Sequence, residues 1–243
     1  MLRKPLLFII MTFGMLAQAS PVPLDALTLG SAGIVPVSIP AGTKQYIPVS
    51  QADLDGDGRF DTLALTGERF SVLSGGMLLW QSPPDWHVVQ AAVGDLNRDG
   101  KQEVTLLLWR PFRPWPVDRW LPYGGRIADF HNSEGLSCHI ILIGWMHDGF
   151  HELWAGSAMA DPMMSFAVVD LDGDNSQELV ALESRYTDPL PSPEVPGKLA
   201  FAHTLKVWGW NGFGFTVVSS INGTFSEITL IHAENGRTLI LVP

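Results

Sequence analysis

DLDGDGRFD, from Asp53 to Asp61, sets the spacing of the whole chain, because two further copies follow it: DLNRDGKQE from Asp95 and DLDGDNSQE from Asp170. In each copy, oxygen-bearing side chains occupy positions 1, 3 and 5, Gly or Asn occupies position 6, and a carboxylate occupies position 9. Side chains two apart on a tightly turning loop can all point at one hard cation, and position 7 can add its backbone carbonyl. The pattern therefore predicts three calcium loops.

The predicted metal ligands are the residues at positions 1, 3, 5, 7 and 9. They are Asp53, Asp55, Asp57, Arg59 and Asp61 in the first loop, Asp95, Asn97, Asp99, Lys101 and Glu103 in the second, and Asp170, Asp172, Asp174, Ser176 and Glu178 in the third. Carboxylates this close repel one another without a cation, so about three structural Ca²⁺ ions should couple to folding. Two alternatives remain open: solvated acidic turns without metal, and calcium that contacts a ligand directly.

The sequence after each loop predicts a strand. The EF-hand, in contrast, places a bidentate Glu at position 12 and a helix behind it. Position 12 is here Ala64, Leu106 or Ala181, and DTLALTG, EVTLLLW and ELVALES are short apolar runs typical of strands. The repeated unit is therefore strand, calcium loop, strand.

On these motifs the chain resembles the FG-GAP and VCBS repeat family, which includes the propellers of integrin α-subunits and many bacterial surface proteins. The resemblance rests on three copies of D-x-[DN]-x-D-[GN]-x-x-[DE] and covers nearly the whole chain after its first residues. The FG and GAP residues themselves are absent, so the chain is closer to the VCBS branch. The resemblance implies a β-propeller with metal loops on the face away from the ligand.

Hairpins with glycine turns complete the repeat. Gly76, Gly149 and Gly212 each lie in a turn between two apolar runs, and such turns join antiparallel strands tightly. Each repeat then has four strands, with the calcium loop between strands 1 and 2 and the glycine turn between strands 3 and 4. The sequence thus predicts an all-β fold, a small propeller of four-stranded antiparallel blades.

The two ends of the chain predict a fourth, shared blade. Nineteen residues separate Gly76 from Asp95, and 21 separate Gly149 from Asp170. The same step beyond Gly212 reaches residues 224–243, which read as strands 1 and 2, while the step back from Asp53 reaches residues 24–39, which read as strands 3 and 4. Sharing a blade closes the ring and removes exposed sheet edges. Its loop keeps only Glu234 of the ligand pattern, so this blade should lack metal.

Two insertions between strands 2 and 3 are the best candidates for binding. They cover about residues 110–137 and 186–203, and strand alternation places them on the face opposite the calcium loops. Aromatic and Arg residues dominate binding hot spots. The candidate ligand-binding residues, including two from an inter-blade connection, are Trp86, His87, Arg113, Trp115, Arg119, Trp120, Tyr123, Arg126 and His131. The alternative is that the first insertion only caps the central channel.

The first 19 residues read as a secretory signal peptide, leaving one propeller domain over residues 20–243. Arg3 and Lys4 precede an apolar run, and Ala17-Gln18-Ala19 fits a cleavage site. The run is short for a membrane span, although an uncleaved anchor is an alternative. Export predicts a periplasmic, cell-surface or extracellular location. Cys138 is the only cysteine, so calcium would replace the disulfides of other exported domains.

Charge limits the partners. The formal net charge is −10 without any basic run, which argues against nucleic acid and anionic membranes. The leading hypothesis is a binding module for a protein or glycan at the cell envelope, of unknown oligomeric state and without catalytic residues. One alternative is a hydrolase-like enzyme with His131 as base and Arg119 and Arg126 as charge clamps. Another is a structural subunit of a surface assembly.

Overall fold

The structure, a computed structural model, describes residues 26–39, 43–45, 51–113, 129–188, 201–233 and 236–241. Within these residues the regular structure is β-strand and there is no α-helix. The strands are β1 Ala26–Gly30, β2 Gly33–Val37, β3 Lys44–Gln45, β4 Gln51–Ala52, β5 Asp61–Thr66, β6 Arg69–Ser74, β7 Met77–Gln81, β8 His87–Gly94, β9 Glu103–Pro111, β10 Leu136–Met146, β11 Gly149–Ala155, β12 Met163–Val169, β13 Glu178–Glu183, β14 Ala202–Trp210, β15 Phe215–Phe225, β16 Thr229–His232 and β17 Thr238–Leu241.

These strands form four antiparallel sheets, which are the blades of a four-bladed propeller. Blade 1 contains β4 to β7, blade 2 contains β8 to β11, and blade 3 contains β12 to β15, each in sequence order. Blade 4 has the order β2-β1-β17-β16-β3. The prediction of a small all-β propeller with four blades is confirmed.

Blade 4 joins the two ends of the chain as predicted. Ala26 pairs with Leu241 and Leu27 with Ile240, so the first described strand lies beside the last. Two details differ from the sequence expectation. The strand β15 of blade 3 ends with Gly223 to Phe225, although the repeat spacing placed Thr224 and Phe225 in blade 4. In addition, β3 pairs with β16 and adds a fifth strand, which the two-residue length of β3 hid from any periodicity argument.

The two insertions lie between strands 2 and 3 of blades 2 and 3. The first is shorter than expected, because β9 extends to Pro111 and β10 starts at Leu136, and the Phe112 N–H donates to the Gly135 carbonyl at 2.8 Å. The second begins after Glu183 and ends before Ala202. Residues 114–128 and 189–200 lie outside the described residues.

The hydrophobic core lies between neighbouring blades. One cluster joins blades 1 and 2 through Phe70, Val72 and Ile143, a second joins blades 2 and 3, and a third joins blades 3 and 4. Trp145 and Trp80 pack against the first of these clusters, and Trp154 and Trp208 against the second. These four tryptophans therefore fill space between the blades.

The inner strands of blades 2 and 3 are also joined by a side chain. The Gln90 amide of β8 donates to the Phe166 carbonyl at 2.6 Å and accepts from the Phe166 N–H at 3.0 Å. One amide thereby satisfies both backbone groups of a residue on β12, as a neighbouring strand would. This fixes the two blades relative to each other and positions the two loops that leave these strands.

The acidic loops and the opposite face

The three acidic loops join strands 1 and 2 of blades 1, 2 and 3, and they share one hydrogen-bond pattern. The position 1 carboxylate accepts from the N–H of position 6 at 3.0 Å in every loop, and positions 3 and 5 accept from the N–H two residues later. The position 6 donors are Gly58, Gly100 and Asn175. Each loop is therefore wrapped around its own carboxylates, with several oxygens directed inward.

Backbone conformation explains the residue choice at two loop positions. Position 6 has a left-handed φ of 86° at Gly58, 82° at Gly100 and 67° at Asn175. Position 4 is left-handed as well, with Gly56 and Gly173 in two loops but Arg98, at φ 61°, in the second. Gly and Asn adopt this region at low cost, whereas a longer side chain is strained there. Arg98 is thus an exception to the pattern.

The position 9 carboxylates are the most buried acids of the loops. Asp61 is 0%, Glu103 1% and Glu178 3% exposed, and each accepts a hydrogen bond from the position 2 N–H through one oxygen. The other oxygen differs between loops. Asp61 Oδ1 and Glu103 Oε2 are buried and have no hydrogen-bond partner among the described residues. A buried, unpartnered carboxylate oxygen is costly, so these two atoms mark places where a cation would stabilise the fold.

The electrostatics of the loops agree with that conclusion. Burial raises the pKa of Glu103 and of Glu178 to about 7, and it also raises the pKa of Asp61. Backbone hydrogen bonds lower these pKa values, and the other acids of the same loop raise them further. Desolvation and like charge thus both oppose the ionised form, and a divalent cation would offset both.

The donor set fits a hard divalent cation. In each loop three acids offer oxygens that all lie within 4.8 Å of one another. The sets are Asp53, Asp55 and Asp57; Asp95, Asp99 and Glu103; and Asp170, Asp172 and Glu178. These ligands are oxygens only, which is the preference of Ca²⁺ rather than of Zn²⁺. The remaining predicted ligands stand in the same loops.

Loops 2 and 3, the acidic loops of blades 2 and 3, touch each other. Gln177 Oε1, at position 8 of loop 3, accepts from the Asp95 N–H at 2.7 Å. In the opposite direction, Arg98 Nη2 of loop 2 lies 3.7 Å from Glu178 Oε1. Sequence reasoning missed both residues, because it treated each loop as a separate unit. The one available signal is that Gln recurs at position 8, as Gln102 and Gln177.

The opposite face carries the insertions, and the structure places only some of the predicted ligand-binding residues there. Trp115, Arg119, Trp120, Tyr123 and Arg126 lie outside the described residues. Trp86 is only 5% exposed and packs edge-on against Trp80, so its ring belongs to the core and is not presented at the surface. Exposure could not be inferred from its position in an inter-blade connection.

The other three predicted residues have partners within the protein. Arg113, with its side chain 80% exposed, lies 3.5 Å from Asp85. His87 Nδ1 lies 2.6 Å from Glu68 Oε2. His131 Nδ1 donates to the Asn132 carbonyl at 2.8 Å, and its ring lies against Phe112. Of the three, only His87 borders a cavity described below.

A cavity of about 580 Å³ opens on this face where blades 1, 2 and 3 meet. Its walls are mainly aliphatic, and its polar groups are two carboxylates and an imidazole. The lining residues are Gly67, Glu68, His87, Val88, Val89, Trp109, Glu134, Leu136, Met163 and Met164. Val89 is the extra residue of a β-bulge in β8 and is 45% exposed, so its side chain is accessible. This volume and lining are typical of a ligand site.

A serine and a histidine in β10 have the geometry of a nucleophile and its base. Ser137 Oγ lies 2.8 Å from His139 Nε2, and His139 Nδ1 donates to the Gly156 carbonyl at 2.9 Å. Ser137, however, is 0% exposed, and burial lowers the pKa of His139 to about 4. The pair is therefore a buried structural hydrogen bond, because no substrate can reach a fully buried hydroxyl. Cys138 between them is also fully buried, and burial raises its pKa to about 12, which makes it inert.

Compared with known proteins, the chain matches no family model, and no curated protein matches it significantly. Among the described residues, none forms a helix long and apolar enough to cross a bilayer.

Proposed function

We propose that this protein is an exported calcium-binding propeller of the FG-GAP and VCBS type, in which calcium is structural and the face opposite the calcium loops binds a protein or glycan at the cell envelope. The signal peptide proposed over residues 1–19 accounts for export. The calcium loops and the binding face rest on separate observations.

The calcium proposal is carried by the unpartnered oxygens of Asp61 and Glu103. Each is fully buried among further acids, and burial of an unpaired carboxylate costs several kcal/mol unless a partner is supplied. Ca²⁺ would be held by the carboxylates at positions 1, 3, 5 and 9 and the carbonyl at position 7, with Asn97 supplying an amide oxygen in loop 2. The ion would neutralise the clustered charge and hold strands 1 and 2 in register.

A calcium titration by isothermal calorimetry tests this part. We expect wild-type protein to bind calcium at the three loops, and Glu103→Gln to lose the site in loop 2. Glu134→Gln is the matched control, because it removes the same charge from an exposed position on the opposite face. Calcium binding that is undetectable at millimolar concentration, or equal in Glu103→Gln and wild type, would contradict the assignment.

The cavity between blades 1, 2 and 3 supports the binding face and favours the protein alternative. Its aliphatic walls suit a side chain with a long apolar stem, and Glu68 and Glu134 supply negative charge. A lysine of a partner segment would place its methylene groups along Val89 and Leu136 and its ammonium near a carboxylate. Neutral sugars would leave the aliphatic walls without a matching surface.

Defined probes distinguish these ligands. Immobilised protein is exposed to a pool of lysine-containing peptides and, separately, to a pool of neutral oligosaccharides. We expect capture of peptides, and loss of that capture in Val89→Arg, which fills the cavity with a positive side chain. Leu78→Arg is the control, because Leu78 is 54% exposed on the outer strand of blade 1. Oligosaccharide capture that Val89→Arg leaves unchanged would place the ligand elsewhere.

A further inference from the structure

The three acidic loops differ at the atom where a cation is most needed. In loop 1, the acidic loop of blade 1, and in loop 2, no residue in the described part of the chain hydrogen-bonds to the second oxygen of the position 9 carboxylate. In loop 3 the corresponding atom, Glu178 Oε1, lies 3.7 Å from Arg98 Nη2. Glu178 is buried, with its side chain 4% exposed, so this oxygen meets a positive charge where solvent does not screen it fully.

Arg98 reaches loop 3 from an unusual backbone position. It occupies position 4 of loop 2, which is Gly in loops 1 and 3, and its φ of 61° carries the strain of a long side chain in the left-handed region. That conformation directs the guanidinium, 40% exposed, across the gap between blades 2 and 3. A glycine here would offer no cation, and the strain would be absent.

The Gln177 side chain holds loop 3 close enough for this contact. It accepts from the Asp95 N–H at 2.7 Å, so the first residue of loop 2 and the last turn of loop 3 are tied together. Gly94 makes the approach possible, because a Cβ there would lie 2.4 Å from Val168 Cγ1 and 2.5 Å from Gln177 Oε1. This close approach of loops 2 and 3 brings the Arg98 guanidinium within reach of Glu178.

We propose that Arg98 is a tethered cation that competes with calcium for Glu178, and that loop 3 is consequently the weakest of the three calcium sites. The inference rests on the proposed calcium function. Filling loop 3 requires the guanidinium to give up Glu178 or to stand beside a divalent ion, and like charges repel at this distance. Loops 1 and 2 face no such competitor at the position 9 carboxylate within the described residues.

Each loop can be followed separately by NMR during a calcium titration. The position 6 amides of Gly58, Gly100 and Asn175 report on loops 1, 2 and 3, because each donates to the position 1 carboxylate. We expect the Asn175 signal to reach its midpoint at about tenfold higher calcium than the other two, equivalent to about 1.4 kcal/mol. Arg98→Asn, which removes the charge while tolerating a left-handed φ, should bring the three midpoints together, as should Arg98→Gly.

Two controls separate the local effect from net charge. Arg98→Lys keeps a cation and should keep the weak loop 3 site. Arg185→Asn removes one positive charge from an exposed position on the other face and should leave all three midpoints unchanged.

The outcomes distinguish this inference from the calcium proposal itself. Three equal midpoints in wild type, or an Arg98→Asn variant whose loop 3 binds calcium no better than wild type, would overturn the inference and leave the calcium function standing. Absence of any calcium-dependent shift at all three amides would overturn both.

Discussion

Blades 3 and 4 connect their first two strands in different ways. In blade 3, nine residues from Asp170 to Glu178 turn around their own carboxylates. In blade 4, β16 and β17 are joined by a short turn in which the Ala233 N–H donates to the Arg237 carbonyl at 2.9 Å and the Gly236 N–H to the Ala233 carbonyl at 3.0 Å. Between the described residues of this turn, two backbone hydrogen bonds link the end of β16 to the start of β17 without a cluster of acids.

The comparison shows that the acidic loops are not a requirement of the blade topology. The described residues of the blade 4 turn are joined by backbone hydrogen bonds, whereas loops 1 and 2 bury carboxylate oxygens that have no hydrogen-bond partner among the described residues. Burying these acids destabilises the fold, and the blade 4 turn shows that it is not needed to connect two strands of a blade. This supports a role of the acids in holding a cation.

Chelation should have the largest effect, and should act on blades 1 to 3 only. Two tight sites with calcium at about 100 times their Kd would contribute about 5 kcal/mol together, so excess chelator should lower Tm by about 10 to 20 °C. Calorimetry with and without chelator measures the shift, and hydrogen exchange should show the loss of protection in the acidic loops and not at the blade 4 turn. An unchanged Tm would show that chelator destabilises the acidic loops no more than the blade 4 turn, and this would contradict the calcium assignment.

Acid should destabilise the protein through His139, independently of the loops. Its folded pKa of about 4 lies below the unfolded value near 6.5, so between these pH values the unfolded chain binds a proton that the folded chain refuses. The stability that His139 contributes is therefore fully present above about pH 6.5 and falls by up to about 3 kcal/mol as the pH drops to about 4. Without calcium, the raised pKa of Glu103 and of Glu178 acts in the opposite direction, because these carboxyls favour the folded state when they are protonated. Denaturant unfolding of wild type and His139→Gln at several pH values, both in chelator, therefore measures the His139 contribution as the difference between the two slopes. Equal slopes in the two proteins would show that His139 makes no such contribution.

Gly94→Ala should cost about 2 kcal/mol, because the new methyl group would overlap Val168 and Gln177. Gly149→Ala is the matched control, since its Cβ would meet only His151 Nε2, at 3.8 Å. Denaturant unfolding of both variants measures the difference. If Gly94→Ala proves as harmless as the control, the close approach of loops 2 and 3 is not present in solution.

The smallest expected effect compares the two kinds of turn directly. Gly58 in loop 1 has φ 86° and Gly236 in blade 4 has φ 82°, and neither has an atom within 4 Å of a built Cβ. In chelator, Ala at either position should cost about 1 kcal/mol, from left-handed strain alone. With calcium added, Gly58→Ala should cost more than Gly236→Ala, because only loop 1 then gains a bound ion to distort. If the two substitutions cost the same in both conditions, loop 1 does not bind calcium.

Much of the architecture could be predicted because its signals are local. The alternation of apolar residues, the glycine turns and the regular spacing of Asp53, Asp95 and Asp170 gave four blades, the position of both insertions and the blade shared between the ends. The fifth strand of blade 4 was missed, because Lys44 and Gln45 carry no strand pattern and pair only through the backbone.

The candidate sites also contain residues that local sequence signals predict and residues that they do not. Position 9 of each loop was predicted as a metal ligand from spacing; the structure shows that its carboxylate is buried, and metal binding there stays a prediction. Trp86 was assigned to the binding face and lies instead in the core, and the cavity residues Glu68, Glu134 and Met163 were not considered. These residues come from three different blades, so no stretch of sequence brings them together.

The sequence by itself determined what depends on neighbours a few residues away: strand period, turn chemistry, and the oxygens that each acidic loop can offer. Only the tertiary structure decided which of those oxygens keep a free lone pair, that Arg98 faces Glu178, and that a cavity opens where three blades meet. The physical reason is that burial and charge pairing depend on packing between blades, and contacts between blades join residues far apart in the chain.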